Sequence, residues 1–188
     1  MIYMYFMIIS IIVISVVGTL SHFLYDITKH NKIVGLFTAV NESTWEHIKI
    51  GITPTIVWGL VDGYIYGTNP NYFFAKFISL IVIIILIPLL FYGYKWLFKK
   101  NNEVINVLIF YLAIVISQYL FNYLITSSSI NYFGQYISCV GIFVILSCDM
   151  IFTLMPGKNF MFKDPISNKC GFDGHTEILH GNENSKKI

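Results

Sequence analysis

The sequence predicts an all-α fold, a polytopic helical membrane bundle of about five transmembrane helices. Three observations lead to this class. Hydrophobic residues make up 56% of the chain and charged residues only 12%, which leaves too little polar surface for a water-soluble domain. The mean hydropathy is +0.68, and the apolar residues fall into five stretches of a length that crosses a bilayer, about 20 residues each. Lysines, finally, are concentrated in alternate loops between these stretches.

The five predicted spans are not equally apolar. The first lacks the basic region and the small-residue cleavage site of a secretory signal, so we interpret it as a retained span. The second is the least apolar, because Pro54, Gly59, Asp62 and Gly63 interrupt it. The third contains Pro88, where a kink is expected. The predicted bounds are about 2–25, 50–66, 72–97, 104–125 and 133–155.

A break after the fifth span divides the chain into two parts. Pro156 and Gly157 cannot continue a helix, so the transmembrane helical domain covers residues 1–157. The segment 158–188 is rich in Lys, Asn, Gly and Asp and is predicted to be a polar cytoplasmic tail. We expect this tail to fold back over the inner face of the bundle.

The distribution of lysines predicts the orientation, because cytoplasmic loops carry an excess of basic residues. The loop after the second span has only Lys76, and the loop after the fourth has none. The N-terminus is therefore predicted outside and the C-terminus in the cytoplasm. The cytoplasmic lysines would be Lys29, Lys32, Lys49, Lys95, Lys99, Lys100, Lys158, Lys163, Lys169, Lys186 and Lys187.

Composition also excludes some classes of partner. A net charge of +2 and the lack of a basic stripe argue against nucleic-acid binding, and membrane lipid is the expected surrounding. Cys139 and Cys148 are nine residues apart on one predicted span and so point to opposite faces, and Cys170 is in the tail. No CxxC motif is present, and we expect no disulfide framework.

A dense polar segment, Asn-Glu-Ser-Thr-Trp-Glu-His-Ile-Lys at 41–49, precedes the second span. Charged residues beside or inside a membrane are expensive to place and are often functional. A purely structural interpretation also exists. Ser43 and Glu46 fit a capping box that begins the second span and satisfies its backbone N–H groups. This interpretation leaves Glu42, Trp45, His47 and Lys49 unexplained.

The functional interpretation is a metal site at the cytoplasmic face. His22 and His47 are its candidate metal ligands, with Asp26, Glu42 or Glu46 completing the set. His and carboxylate donors suit a divalent metal such as zinc, and a catalytic zinc site keeps one position open for water. Asp26 is four residues after His22 and could instead orient the His22 ring through a hydrogen bond, without binding the metal itself. The alternative for His22 is an interfacial histidine bonded to Asp26 or to a loop carbonyl.

Three residues of the same region are candidate catalytic groups. Glu42 or Glu46 would act as the general base toward a metal-bound water. Lys49 would stabilise a developing negative charge. No HExxH motif or comparable ligand spacing is present, so the metal is inferred from residue types and topology alone.

Three stretches together resemble a family of small bacterial integral membrane proteins that is catalogued as a domain of unknown function. They are 18–26, 40–49 and 162–172, and the string Asn-Glu-Ser-x-Trp-Glu-His-x-Lys is the family's most specific mark. Cys170 stands where a tyrosine is expected, which weakens any role for this cysteine. The resemblance implies a multi-pass protein of the bacterial plasma membrane and no assigned activity.

Two functions from different classes are therefore predicted. The first is a metal-dependent hydrolase or transferase that acts on a lipid or lipid-linked substrate at the cytoplasmic membrane face. The second is a non-enzymatic small transporter subunit or an assembly partner of a membrane complex. In the second case the polar segment is a docking surface or a gate, with Trp45 as an anchor.

Overall fold

The computed structural model describes residues 2–99 and 102–175, and it contains helices but no β-strand among these residues. Five of the helices are long and one is a single turn. Their bounds are Ile2–Ile27 (α1), Lys32–Gly35 (α2), Thr44–Tyr66 (α3), Tyr72–Phe98 (α4), Glu103–Ile125 (α5) and Tyr132–Leu154 (α6), and a short 3-10 helix follows at Gly171–Gly174.

The all-α prediction is confirmed. The five long helices lie where the apolar stretches predicted them, except that α3 begins at Thr44 instead of near residue 50. Four helices, α1, α4, α5 and α6, are long and apolar enough to cross a membrane. The fifth, α3, is not among them, because it carries the polar residues of the 41–49 segment and Asp62. The number of spans and the side of each terminus stay predictions.

Consecutive long helices run in opposite directions, as contacts at both ends of the bundle show. At one end the start of α3 meets the end of α4, where the hydroxyls of Thr44 and Tyr92 lie 2.8 Å apart. At the other end the rings of Tyr3 and Tyr66 stack 5.7 Å apart, which joins the start of α1 to the end of α3. The N-terminus and the tail therefore lie at opposite ends of the bundle. We call the end that carries the tail the tail end.

Glycine allows α3 to pack closely against its neighbours α1 and α4. A Cβ atom on Gly18 of α1 would lie 2.7 Å from the carbonyl oxygen of Ile50, and one on Gly51 would lie 2.8 Å from Ile83 of α4. Larger residues at either position would push the helices apart. The core around α3 includes Ile48 and other buried aliphatic residues. The outer faces of the other helices expose large apolar side chains, as lipid contact requires.

The tail packs over the tail end, as far as His175, the last residue that the structure describes. Phe162 lies against Trp45 of α3 and Phe152 of α6, with ring centroids 5.2 and 5.3 Å away. The backbone N–H of Trp45 donates to the carbonyl of Met161 at 2.9 Å. The expected return of the tail over the bundle is thus present in this part. Residues 176–188 of the predicted tail lie outside the described residues, as does Lys100.

A buried ion pair joins α3 to α4 near the opposite end. The Lys76 ammonium bonds the Asp62 carboxylate, and both side chains are at most 3% exposed. The Lys76 Nζ atom also lies 4.6 Å from the centre of the Phe121 ring on α5. Charges in such a site are stable only while they are paired, because water cannot solvate them.

We predict that Lys76→Met destabilises the protein by about 3–5 kcal/mol, because Asp62 then remains buried without its counter-charge. The double variant Asp62→Asn/Lys76→Met should recover most of the loss. Unfolding of detergent-solubilised protein, followed by circular dichroism, measures both effects. Lys95→Met, which alters an exposed lysine of the same helix, is the control. A loss in Lys76→Met no larger than in this control would contradict the prediction.

Candidate functional site

Two histidines and a glutamate from distant parts of the chain meet at the tail end. His22 lies near the end of α1, Glu42 in the loop before α3, and His47 in the first turn of α3. The His22 Nε2 atom is 3.2 Å from one carboxylate oxygen of Glu42, and the His47 Nε2 atom is 3.7 Å from the other. One donor atom from each of the three residues lies within 4.8 Å of the others. We call these residues the first cluster.

Hydrogen bonds to the tail and within the loop hold Glu42 in this position. The Asn41 amide donates to the carbonyl of Gly171 at 2.8 Å, and its oxygen accepts the N–H of Ser43 at 2.8 Å. The backbone N–H of Glu42 donates to the Asp164 carboxylate at 3.0 Å. The loop therefore depends on the tail for its shape, although the two are far apart in sequence.

One hydrogen bond determines which nitrogen of His47 faces the cluster. The His47 Nδ1 atom is 3.0 Å from the carbonyl oxygen of Ser43. A carbonyl only accepts, so Nδ1 carries the proton, and in the neutral ring Nε2 presents its lone pair toward Glu42. This arrangement, with the far nitrogen bonded to a backbone carbonyl, is usual for histidines that bind metals.

The charge of Glu42 is set by its two histidines. Burial raises the pKa of the Glu42 carboxyl, but a hydrogen bond from His22 and electrostatic attraction to His22 and His47 lower it more. The net pKa of Glu42 is thus below its ordinary value, and the carboxylate is ionised at neutral pH. An ionised, partly exposed carboxylate between two imidazoles is suited to bind a cation.

Glu46 and Lys49, the other two predicted catalytic residues, face the interior instead. Their side chains are at most 2% exposed and form an ion pair of 2.5 Å. Lys49 also donates to the Gly35 carbonyl and the Thr153 hydroxyl, each at 2.9 Å. The structure therefore places both residues beneath the first cluster, where they connect α2, α3 and α6.

The predicted capping box forms only in part. Ser43 is the N-cap of α3, and its hydroxyl accepts the N–H of Glu46 at 3.5 Å. The Glu46 carboxylate does not return to Ser43 as a capping box requires. It accepts the backbone N–H of Val40 at 3.1 Å and pairs with Lys49, because a buried ammonium attracts it more strongly than an amide does.

Asp26, the third predicted metal ligand, belongs to a different group. Its carboxylate lies 3.0 Å from the His175 Nε2 atom and 3.4 Å from the His30 Nε2 atom. We call Asp26, His30 and His175 the second cluster. Its two histidines were not among the predicted site residues. The spacing of four residues between Asp26 and His30 was the available signal, whereas nothing local to His175 indicates its partners.

A buried polar network continues from Lys49 into α6. The Thr53 hydroxyl donates to the Asp149 carboxylate at 3.1 Å, and the Thr153 hydroxyl donates to the Asp149 carbonyl at 3.1 Å. Asp149 is fully buried. The network reinforces the contact between α3 and α6 directly under the first cluster.

Comparison with known proteins identifies the family. Residues 2–172 match the model of a family of unknown function, DUF6512. The chain belongs to this family. No curated protein and no solved structure matches it. The resemblance to a domain of unknown function is confirmed, and a function for this DUF6512 protein has to be inferred from its own residues.

We predict that Asp164→Ala in this DUF6512 protein loosens both the tail and the Glu42 loop. The fully buried carboxylate accepts the N–H groups of Glu42, Ile166 and Ser167 at 2.5–3.0 Å. Their loss should cost about 1.5–3 kcal/mol of unfolding free energy and speed amide hydrogen exchange at Glu42. Asp173→Ala, at an exposed tail carboxylate, is the control. Equal exchange rates in the two variants would refute the prediction.

Proposed function

We propose that this protein is a metal-dependent hydrolase or transferase that acts on a lipid or lipid-linked substrate at the cytoplasmic membrane face. Its divalent metal, such as zinc, is held by His22, Glu42 and His47. The observation that carries the proposal is the convergence of these three side chains, which come from α1, a loop and α3. No feature of their local sequence requires them to meet.

The donor set fits a catalytic zinc site. Two imidazoles and one carboxylate are a common set of three protein ligands, with a fourth position left for water. Tetrahedral zinc with bonds of about 2.0–2.1 Å needs ligand atoms about 3.3 Å apart. In the structure one donor atom from each of the three residues lies within 4.8 Å of the others, so small side-chain rotations would bring them to this spacing. The Ser43 carbonyl would keep His47 in its metal-binding tautomer.

The site is open enough for a substrate to reach the metal. The side chains of His22, Glu42 and His47 are 18%, 24% and 28% exposed. A bound zinc ion lowers the pKa of its water to about 7, which creates a nucleophile at neutral pH. Glu42 presents one oxygen to each histidine, so it would hold the metal with one oxygen and keep the other as a proton acceptor beside the site.

This proposal gives Glu46 and Lys49 a supporting role instead of the predicted catalytic one. Neither side chain is exposed enough to touch a substrate. Their ion pair would hold the first turn of α3, and with it His47, at a constant distance from α1. Asp26 would also not bind this metal, because its carboxylate lies beside His30 and His175.

The choice of a lipid substrate follows from where the cluster lies. It is at the tail end of a bundle whose outer faces expose apolar side chains, so lipid is the nearest source of substrate. The lysine distribution predicts that this end faces the cytoplasm of a bacterial plasma membrane. A phosphate ester or carboxylic ester in a lipid headgroup would then lie at the depth of the metal.

The alternative of a non-enzymatic transporter subunit or assembly partner stays a prediction, but one of its supports is lost. Trp45 is only 8% exposed. Its ring is 5.1 Å from Phe152 and 5.2 Å from Phe162 by centroid distance. Trp45 therefore anchors the tail of its own chain and does not present a surface to a partner.

We predict that His22→Ala and His47→Ala each remove one equivalent of bound metal. Elemental mass spectrometry of protein purified without chelator, followed by titration with zinc, measures the content. Each variant should weaken zinc binding at the first cluster at least 100-fold, since two of three protein ligands cannot hold the ion in a fixed geometry.

The control is Asp173→Asn, which removes an exposed carboxylate outside the cluster and should leave the metal content unchanged. Each sample is first shown to be folded and monodisperse in detergent. The proposal fails if folded wild-type protein binds no more zinc than a folded His22→Ala/His47→Ala double variant.

A further inference from the structure

We propose that the second cluster, Asp26, His30 and His175, is a separate binding site for a divalent transition metal such as zinc. The ion would fasten the end of the tail to α1. The inference rests on these three residues alone and does not depend on the chemistry proposed for the first cluster.

The distances within the second cluster are short enough for all three side chains to bind one metal ion. The His30 and His175 Nε2 atoms are 2.9 Å apart, and they are 3.4 and 3.0 Å from the same Asp26 oxygen. All three atoms thus form a triangle with sides near the spacing of about 3.3 Å in tetrahedral zinc sites. Two imidazoles and a carboxylate are again donors that zinc accepts.

The tautomer of His175 is suited to binding a cation between these atoms. His175 Nδ1 lies 2.9 Å from the carbonyl oxygen of Val40, so Nδ1 carries a proton. In a neutral ring the lone pair of His175 Nε2 then faces both the Asp26 carboxylate and His30 Nε2. A proton on His175 Nε2 would form a hydrogen bond with only one of these two neighbours, whereas a divalent cation would be bound by all three residues.

The backbone around His30 is held in an unfavourable conformation that brings its ring to the cluster. Lys29 and His30 have φ values of 54° and 62°, a left-handed region that non-glycine residues seldom adopt. A hydrogen bond of 2.9 Å from the His30 N–H to the Tyr25 carbonyl stabilises the turn. A left-handed turn closed by such a hydrogen bond is a common way for a helix to end, and here it places the His30 ring at the cluster.

Tyr25 forms a wall of the proposed site. Its ring is only 5% exposed and lies 5.3 Å from the His30 ring and 5.0 Å from the His175 ring by centroid distance. It limits the rotation of both imidazoles. Exposure falls from 43% for the His30 side chain to 14% for His175 and 6% for Asp26, so an ion could enter from the His30 side.

An ion at this site would also influence the first cluster. His175 bonds the carbonyl of Val40, two residues before Glu42. Asp26 is one helical turn after His22 on α1. Fastening His175 to α1 would therefore hold the loop that carries Glu42 near the helix that carries His22. The second metal is structural in this scheme, and the first is the reactive one.

The first test is a titration of the His22→Ala/His47→Ala double variant with cobalt(II), whose visible absorption becomes much stronger when the ion leaves water for a tetrahedral protein site. We expect one equivalent to bind, because the second cluster is intact in this protein. Adding His175→Asn should abolish the binding. The shorter amide can still donate to the Val40 carbonyl, so the tail has a route to its normal position without the metal ligand.

The second test is trypsin cleavage of the tail after the exposed Lys169 in otherwise unaltered protein. Zinc should slow this cleavage several-fold in wild-type protein and not in His175→Asn. Zinc should still slow it in His22→Ala/His47→Ala. The proposal is overturned if the folded double variant binds no cobalt, or if zinc protects wild-type and His175→Asn protein equally. The proposal for the second cluster is not affected if only the first cluster fails to bind metal.

Discussion

The buried ion pair between Glu46 and Lys49 is the interaction on which the tail end depends. Lys49 is completely buried and bonds Glu46, the Gly35 carbonyl and the Thr153 hydroxyl. Glu46 in turn accepts the N–H of Val40. A charge removed from water is tolerated only when its partners are in place. The pair therefore requires α2, the following loop, α3 and α6 to come together in one arrangement, and this arrangement positions the first cluster.

The two clusters are parts of one polar layer that covers an apolar bundle. They share α1, where His22 and Asp26 are separated by one turn, and they share the loop between α2 and α3, through Glu42 and the Val40 carbonyl. The tail completes the layer, since Asp164 holds the loop and His175 reaches α1. All four histidines of the described residues, His22, His30, His47 and His175, thus lie in this layer.

The polar segment 41–49 shows how far residue types can predict a site. Its charge density beside a hydrophobic span correctly indicated an unusual environment, and the structure brings Glu42 and His47 to His22. Residue type alone did not distinguish the exposed residues of this segment from the buried ones. Glu46 and Lys49 differ from His47 only in which face of the first turns of α3 they occupy, and Glu42 lies in the loop before this helix. His30 and His175 were overlooked because their contact spans 145 residues of chain.

Sequence by itself determined the all-α class, the positions of the long helices and the membership of a family of unknown function. Each of these depends on local composition, because an apolar stretch in lipid must satisfy its own backbone hydrogen bonds by forming a helix. Only the tertiary structure decided which ionisable side chains meet. That outcome depends on how the helices pack and where the tail lies. Two residues such as Asp26 and His175 contribute an interaction free energy only after folding has brought them together.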